Sequence, residues 1–375
     1  MADLQELRKE IDRIDKEMVR LFEERMDICK NVAEYKIETG KKVFDRQREE
    51  EKIKAVQELT GNEINRIGAG ELFGQIMSVS RKLQYKLLAE HGILEKPSFE
   101  PVDTLDKENA TVVFQGIEGS YSYAAMKEYF GADVKNFHVK TFRNAMEAIA
   151  EGKADYAVLP IENSTAGGVS EIYDLLVEFN NYIVGEQIIE IKHCLLTVPG
   201  ASKEDIKTIY SHPQSFMQSA AYLRKHEWKQ ISMENNAFAA KKVADEKDKT
   251  QAAVAGRYAG ELYGLNILEE GINDSELNST RFIIVSNQKK FLKNAGKVSV
   301  CFEIQHESGS LYKTLSHFIY NGINLCNIES RPMKEKNWEY RFFVDFEGNL
   351  EDSAVQNALG SLQEETRNLI IFGNY

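Results

Sequence analysis

One cation stands where a helical stripe calls for an apolar side chain, and a second shares its face. Leu4, Leu7, Ile11, Ile14, Met18, Leu21, Ile28, Val32 and Tyr35 alternate by three and four, and Arg25 occupies one position of that series. Such a seam wants a partner helix, and a charge on it is costly unless it is paired or binds something. Lys36 lies eleven residues on, within about 20° of Arg25 at 100° per residue, so both cations share one inward face. A further helical stretch, 71–90, carries Ser80 and Gln84 at i, i+4 among Met77, Leu83, Leu87 and Leu88. Between these helices Val43-Phe44-Asp45-Arg46-Gln47-Arg48-Glu49 makes a charged start to a middle helix. Taken singly, Arg25 reads as well as a paired core residue, and Ser80 or Gln84 as core hydrogen bonding. Taken together, several cations and an amide converging inside a bundle make a pocket for a small polyanion.

A second set of polar motifs sits at the ends of strands. TVVFQG, NFHVKTF, ADYAVLPIE, KTIYS, KQISMEN and QAAVAG read as strands, each followed by a helix-like stretch. That alternation predicts an α/β unit in two lobes, whose ligands lie beyond the carboxyl ends of strands. Gly116-Ile117-Glu118-Gly119-Ser120-Tyr121-Ser122 follows a strand and opens a helix, where backbone N–H groups and hydroxyls bind carboxylates; the same residues also suit a plain helix start. Pro160-Ile161-Glu162-Asn163-Ser164-Thr165 and Ser211-His212-Pro213-Gln214 end two more strands, and Asn278-Ser279-Thr280-Arg281-Phe282 begins another. His212 precedes a proline that suits a first helical turn and reads as structural. The last 80 residues or so show the order βαββαβ, the ferredoxin-like plan.

These elements fall into three units of a 375-residue chain. The first 96 residues hold no proline, a helical signal because proline breaks helix interiors. Residues 92–110, polar with two prolines, and 287–296 read as linkers. They divide the chain into 1–91, 111–286 and 297–375. The net charge of −12 argues against a general binder of nucleic acid or anionic membrane, yet allows an anionic small molecule in a local cationic pocket. Cys29, Cys194, Cys301 and Cys326 are scattered, which argues against zinc or a disulfide framework and suits a reducing compartment. With no apolar leader and no run long enough to span a bilayer, the expected location is cytoplasmic.

LRKEIDRID, the Arg25 helix ending at Lys36, VFDRQRE and SVSRKLQ resemble the all-helical chorismate mutase domain. The resemblance implies a substrate site of Arg8, Arg25, Lys36, Asp45, Arg48, Glu49, Ser80 and Gln84. It also implies an interlocked pair of chains in which Arg8 enters the partner's site. Arg8 is about 100° around the helix from Arg25, so one straight helix could not aim both at one ligand. Chorismate rearranges by a pericyclic shift that needs folding of the substrate and charge stabilisation at the breaking ether oxygen. Arg8, Arg25 and Arg48 suit the two carboxylates, Lys36 and Gln84 the ether oxygen, and Glu49 the hydroxyl.

The G-x-x-G-S-Y-S turn, P-I-E-N-S, S-H-P-Q and T-R-F, in that order, resemble the prephenate dehydratase family. That resemblance implies Thr280 as the catalytic residue, supported by Asn163, Ser211 and Gln218, with Ser120 in the glycine turn and Arg281 near a substrate carboxylate. It implies a periplasmic-binding-protein-like pair of lobes. Gly309-Ser310-Leu311-Tyr312 and Glu329-Ser330-Arg331-Pro332 resemble the two segments that line a phenylalanine site in ACT regulatory domains, where relatives usually carry Ala and Val at the Ser310 and Tyr312 positions. Together the three resemblances imply a multidomain enzyme that makes prephenate from chorismate and phenylpyruvate from prephenate. They also imply inhibition by L-phenylalanine, a homodimer or higher homo-oligomer, and no cofactor or metal. Two other readings stand beside this one: a non-catalytic two-lobed sensor with a helical dimerisation module, and a mutase with a degenerate dehydratase unit.

Overall fold

The structure is a computed structural model, and it describes residues 3–93, 98–333 and 338–375. It divides into two compact units. One comprises Met1–Ser98 with Val300–Ile371, the other Phe99–Ser299 with Phe372–Tyr375.

The first unit opens with three helices: α1 (Leu4–Thr39), α2 (Arg46–Glu58) and α3 (Glu63–Glu90). The side chains of Asp3, Asp45 and Asn62 accept a backbone N–H at the three N-termini, satisfying donors the helix leaves unpaired. Gly40, at φ 68°, ends α1 in the left-handed conformation that glycine adopts freely. At 36 residues α1 runs about 54 Å. Its apolar seam is only partly covered within one chain: Leu4, Leu7, Ile11, Ile14, Met18, Leu21, Ile28, Val32 and Tyr35 are 39–60% exposed. The core lies lower, where Val43, Tyr85 and Leu88 pack with Ile37.

The same unit holds most of a four-stranded sheet in the order Leu325–Pro332, Tyr340–Glu347, Lys297–Glu303, Arg367–Asn374. Helices Ser310–Tyr320 and Ser353–Glu365 complete the expected βαββαβ succession. The last unit is nevertheless not a separate body. The helix Ser353–Glu365 packs beside α3, and its final carboxylates bond to groups on α3 and on the turn before α2. The chain end, in turn, is part of the other unit. Tyr375 exchanges two backbone hydrogen bonds with Lys297, and a Cβ at Gly373 would collide with the Ile183 carbonyl.

The second unit is built on two sheets. In the first, Thr111–Gln115 lies between parallel neighbours Lys135–Val139 and Tyr156–Asn163, and Ser279–Ser286 runs antiparallel between Tyr156–Asn163 and Tyr182–Glu190. Its central strands are buried on both faces: Val112, Val113, Phe114, Ala157, Val158, Leu159 and Ile283 are inaccessible. This is why they read as continuous apolar runs instead of alternating ones. The second sheet has the order Asn266–Glu270, His193–Thr197, Gln251–Gly256, Thr208–Ser211, Lys229–Ser232. The chain passes between the sheets twice, at residues 191–192 and 271–278.

Both expected linkers differ from the reading above. Glu100–Val102, from 92–110, pairs in parallel with Lys290–Leu292, from 287–296. Phe291 is 2% exposed, so burial of one aromatic ring anchors what composition alone marks as loop. Residues 94–97 of the first linker lie outside the described residues.

Candidate active sites

In the helical unit, Arg25 and Ser80 are brought together across α1 and α3. The Arg25 Nη1 donates to Ser80 Oγ at 2.5 Å, and Ser80 donates on to the Ile76 carbonyl at 2.8 Å. Lys36 Nζ donates to the Val43 carbonyl at 2.7 Å. Burial pushes the Lys36 ammonium below its ordinary pKa, opposed by the carboxylates of Glu364, Asp45 and Glu49. Neither cation is ion-paired among the described residues, so both charges remain available to an anionic ligand. Gln84 is buried beside them, and its Oε1 has no hydrogen-bond partner among the described residues. Asp45 is engaged locally, accepting from the Arg48 backbone N–H at 3.0 Å at the start of α2. Arg48 is exposed on the first turn of that helix, and Arg8 is exposed on α1. Seventeen residues separate Arg8 from Arg25, about 25 Å of helix, so the two do not meet within one chain.

Three residues at this site were not anticipated: Arg81, Glu364 and Glu365. The Arg81 guanidinium takes Glu49 at 2.5 Å and Glu365 at 2.7 Å, with its side chain 8% exposed. Glu364 accepts from the Phe44 backbone N–H at 2.9 Å and the Tyr85 hydroxyl at 2.8 Å. Arg81 lies inside the SVSRKLQ segment, at a helical position that only the packing shows to be inward. The two glutamates come from a helix nearly three hundred residues away in sequence, and no local pattern announces them.

In the two-sheet unit, a cleft of about 360 Å³ is lined by Ser120, Asn163, Gln218 and Thr280 together with His193, His212 and Asn236, among others. Thr280 begins the strand Ser279–Ser286 directly opposite Asn163 and is 9% exposed. Asn163 Nδ2 donates to Thr280 Oγ1 at 2.9 Å, to Asn278 Oδ1 at 2.8 Å and to the Ser279 carbonyl at 3.1 Å. Its Oδ1 accepts from the backbone N–H groups of Thr165 and Ala166, both at 3.0 Å. The amide therefore cannot turn over, and its N–H is fixed on the threonine oxygen. Gln218 Nε2 donates to Thr165 Oγ1 at 2.8 Å and approaches Asn163 Oδ1 at 3.4 Å.

Ser120 caps the helix Tyr121–Phe130, accepting from the Tyr123 N–H at 3.2 Å. The preceding Gly119 has φ +87°, and a Cβ there would sit 3.2 Å from the Ala259 backbone, so the turn requires glycine twice over. Ser211 lies beneath the cleft, its hydroxyl 2.6 Å from the Val254 carbonyl, while Asn236 accepts from Ser215 and the His212 N–H. His212 caps the helix Pro213–Gln218 through Nδ1, and burial lowers its pKa.

Arg281 corrects the sequence reading. Successive residues of a strand face opposite sides, so Arg281 points away from Thr280 and the cleft. Its guanidinium meets Glu162 at 3.2 Å, Glu186 at 3.5 Å and the Tyr375 hydroxyl at 3.4 Å. No Lys or Arg lines the cleft among the described residues. His193 was missed altogether. It is 1% exposed and contacts Gln218 at 3.0 Å, and its only sequence signal is a lone histidine at the start of an apolar strand.

In the four-stranded sheet, Gly309 (φ 79°) caps the helix Ser310–Tyr320. Ser310 and Leu311 line a cavity of about 180 Å³ with Gln305, His306, Tyr340 and Phe342. Tyr312 is exposed beside it. Glu329, Ser330, Arg331 and Pro332 lie on the edge strand Leu325–Pro332, paired with Tyr340–Phe343, and do not line that cavity.

Among the described residues no group of three metal-binding side chains is assembled, and no helix is long and apolar enough to cross a membrane. Residues 7–85 match the family model of chorismate mutase type II, and residues 112–290 match that of prephenate dehydratase. A bifunctional chorismate mutase/prephenate dehydratase of Aquifex aeolicus is 33% identical over 100% of this chain and 98% of its own. The Escherichia coli K12 protein of the same description is 30% identical over 98% and 95%. The solved prephenate dehydratase of Arthrobacter aurescens, in complex with L-Phe, superposes with a TM-score of 0.66 at 30% identity, covering 71% of this chain and 89% of that one. With both models matched in order and relatives aligned from end to end, the chain belongs to the bifunctional chorismate mutase/prephenate dehydratase family.

Proposed function

We propose that the two activities of this family, chorismate mutase and prephenate dehydratase, are carried by the two polar clusters described above, and that L-phenylalanine inhibits them. In the helical unit Arg25 and Arg48, completed by the partner subunit's Arg8, bind the two carboxylates of chorismate. Lys36 and Gln84 donate to the ether oxygen as its bond breaks, Glu49 takes the substrate hydroxyl, and Ser80 and Asp45 position these groups. What supports this is that Arg25 and Lys36 are held by a hydroxyl and a carbonyl, not neutralised by carboxylates. No proton moves in the rearrangement, so fixed charge and fixed shape are what the reaction needs. The exposed seam of α1 supports the pairing of two chains through these helices.

In the cleft, prephenate loses carbon dioxide and its ring hydroxyl. The electron pair of the C–CO₂ bond enters the ring, the C–O bond breaks, and oxygen leaves with its bonding pair as hydroxide, which takes a proton from solvent water. The single observation that carries the assignment is the direction of the Asn163–Thr280 hydrogen bond. Because Thr280 Oγ1 accepts from Asn163, its own O–H is left to donate a hydrogen bond to the leaving oxygen. A hydroxyl is too weak an acid to ionise here, so it serves as a hydrogen-bond donor. The cation-free lining fits the other half of the reaction, since a carboxylate about to leave as CO₂ is not held by a countercharge. Ser120 follows, and Asn163 ends, neighbouring strands of one sheet at the site, Gln218 braces Asn163, and Ser211 supports the floor.

The βαββαβ sheet is read as an ACT domain. Ser310 and Leu311 would contact phenylalanine in the cavity, Gly309 and Tyr312 would shape its rim, and Glu329 to Pro332 would close it from a paired domain. The two sheets joined by two crossings support the periplasmic-binding-protein-like reading of the cleft, and the scattered placing of the cysteines along the chain suits the cytoplasm. The test is phenylpyruvate formation from chorismate with and without L-phenylalanine, in the native chain, Arg25→Ala and Thr280→Ala. The expected result is mutase loss in the first variant, dehydratase loss in the second, and inhibition of the native chain. Full phenylpyruvate formation by Thr280→Ala would refute the catalytic assignment.

A further inference from the structure

One path of hydrogen bonds runs from Tyr121 through His193 and Gln218, on the side of the opposite sheet, back to Thr280. Tyr121 Oη lies 2.9 Å from His193 Nδ1, and His193 Nε2 lies 3.0 Å from Gln218 Oε1. Gln218 Nε2 then donates to Thr165 and toward Asn163, and Asn163 Nδ2 donates to Thr280. The polarity of each step depends on the one before. Gln218 Oε1 can only accept, so Nε2 of the imidazole must carry the proton, and Nδ1 is then the nearer of two acceptors for the Tyr121 hydroxyl, at 2.9 Å against 3.3 Å for the Lys192 carbonyl. Burial lowers the His193 pKa, which keeps the ring neutral and this tautomer intact. With the proton on Nδ1 instead, the Nε2 lone pair would face Gln218 Oε1. The Gln218 amide would turn over and present an oxygen to the Asn163 oxygen.

Packing holds the outer end of the path. Tyr121 is placed by Gly256, where a Cβ would sit 3.0 Å from the tyrosine ring. His193 is fixed further by its backbone N–H, which donates to Asn273 Oδ1 at 2.7 Å. His193 starts the first strand after one crossing between the sheets, while Asn163 and Thr280 belong to the other sheet. The path is therefore closed only when both walls of the cleft are in register.

We propose that His193, as its neutral Nε2–H tautomer set by Tyr121, is a positioning residue of the dehydratase. It orients the Gln218 amide and, through it, the Asn163–Thr280 pair. This rests on the assignment of Thr280 above.

The test uses the full chain with prephenate as substrate, and its mutase turnover is the internal control for folding. Removing the donor in His193→Leu should lower dehydratase kcat by about 10- to 100-fold, the scale of a slight misplacement of reacting groups, with KM within about threefold. His193→Gln retains an N–H for Gln218 and should recover most of that loss, and Tyr121→Phe should show a smaller loss of kcat. Imidazole ¹⁵N shifts of the native chain should report a protonated Nε2 and a bare Nδ1. Native kcat in His193→Leu, equal losses in His193→Leu and His193→Gln, or a protonated Nδ1 would overturn the proposal. Should His193→Leu fail to fold, His193→Gln and the tautomer decide it. Thr280→Ala separates the two claims: if it is inactive while the His193 variants are native-like, only the positioning role falls.

Discussion

Replacing Thr280 by Val removes one hydroxyl and keeps the side-chain shape. In the structure that hydroxyl oxygen takes one of three acceptor positions facing Asn163 Nδ2, and the others, Asn278 Oδ1 at 2.8 Å and the Ser279 carbonyl at 3.1 Å, stay in place. The Asn163 amide is thus not orphaned, and the stability cost is that of one hydrogen bond, about 1 kcal/mol. Against a domain stability of about 5–15 kcal/mol, the chain stays folded. The kinetic cost is larger, because loss of a donor aimed at developing charge raises the barrier by about 2.7–4 kcal/mol, or 10²–10³ in kcat. The assay is phenylpyruvate formation from saturating prephenate by purified Thr280→Val, with mutase turnover of the same preparation as control. The expected result is a loss of at least a hundredfold in the first and no change in the second. A dehydratase kcat within threefold of native, with mutase intact, would refute the role given to the hydroxyl and to the direction of the Asn163 bond.

Other outcomes follow from the helical unit. Ile14→Glu with Met18→Glu places charge on the uncovered seam of α1, so light scattering should show a smaller species than the native chain, with mutase activity lost. Arg81→Ala leaves Glu49 and Glu365 facing each other without their shared cation, and the loss should be about 3–5 kcal/mol in denaturant unfolding; a loss under 1 kcal/mol would mean the triad is solvated. Burial alone would raise the Glu365 pKa, but His317 and Arg81 outweigh it and hold the carboxyl below its ordinary 4.5. Protons therefore bind the unfolded chain more readily. The contribution of Glu365 is complete above about pH 4.5 and is lost as pH falls through the depressed value. Glu365→Gln should flatten that acid limb of the melting temperature, and an unchanged limb would count against the pairing.

The helices, the strand runs and the polar motifs were legible because each is written in local spacing. A three-four alternation marks α1, apolar runs mark the doubly buried strands, and glycine, serine and proline mark the turns that open helices at the cleft. Arg25, Ser80 and Gln84 stood out because polar groups interrupt an apolar stripe, and Lys36 because it shares the face of Arg25. Asn163 and Thr280 stood out in motifs and Gln218 through the family resemblance, and all three line one cleft. Arg281 was expected near a substrate carboxylate from the family resemblance, and its place on the strand turns it instead to Glu162 and Glu186. The linkers were misread because composition does not record that Phe291 is buried.

What sequence alone determined is which segments become helices and strands, and which residue types stand ready for two anionic substrates, since these depend on periodicity and on side-chain chemistry. Tertiary structure alone decided that Arg81 joins Glu49 to Glu365, that Arg281 turns away from Thr280, and that His193 closes a hydrogen-bonded path across the cleft. Each of these is a contact between segments far apart in the chain, whose geometry is set by how sheets and helices pack and which no local pattern encodes.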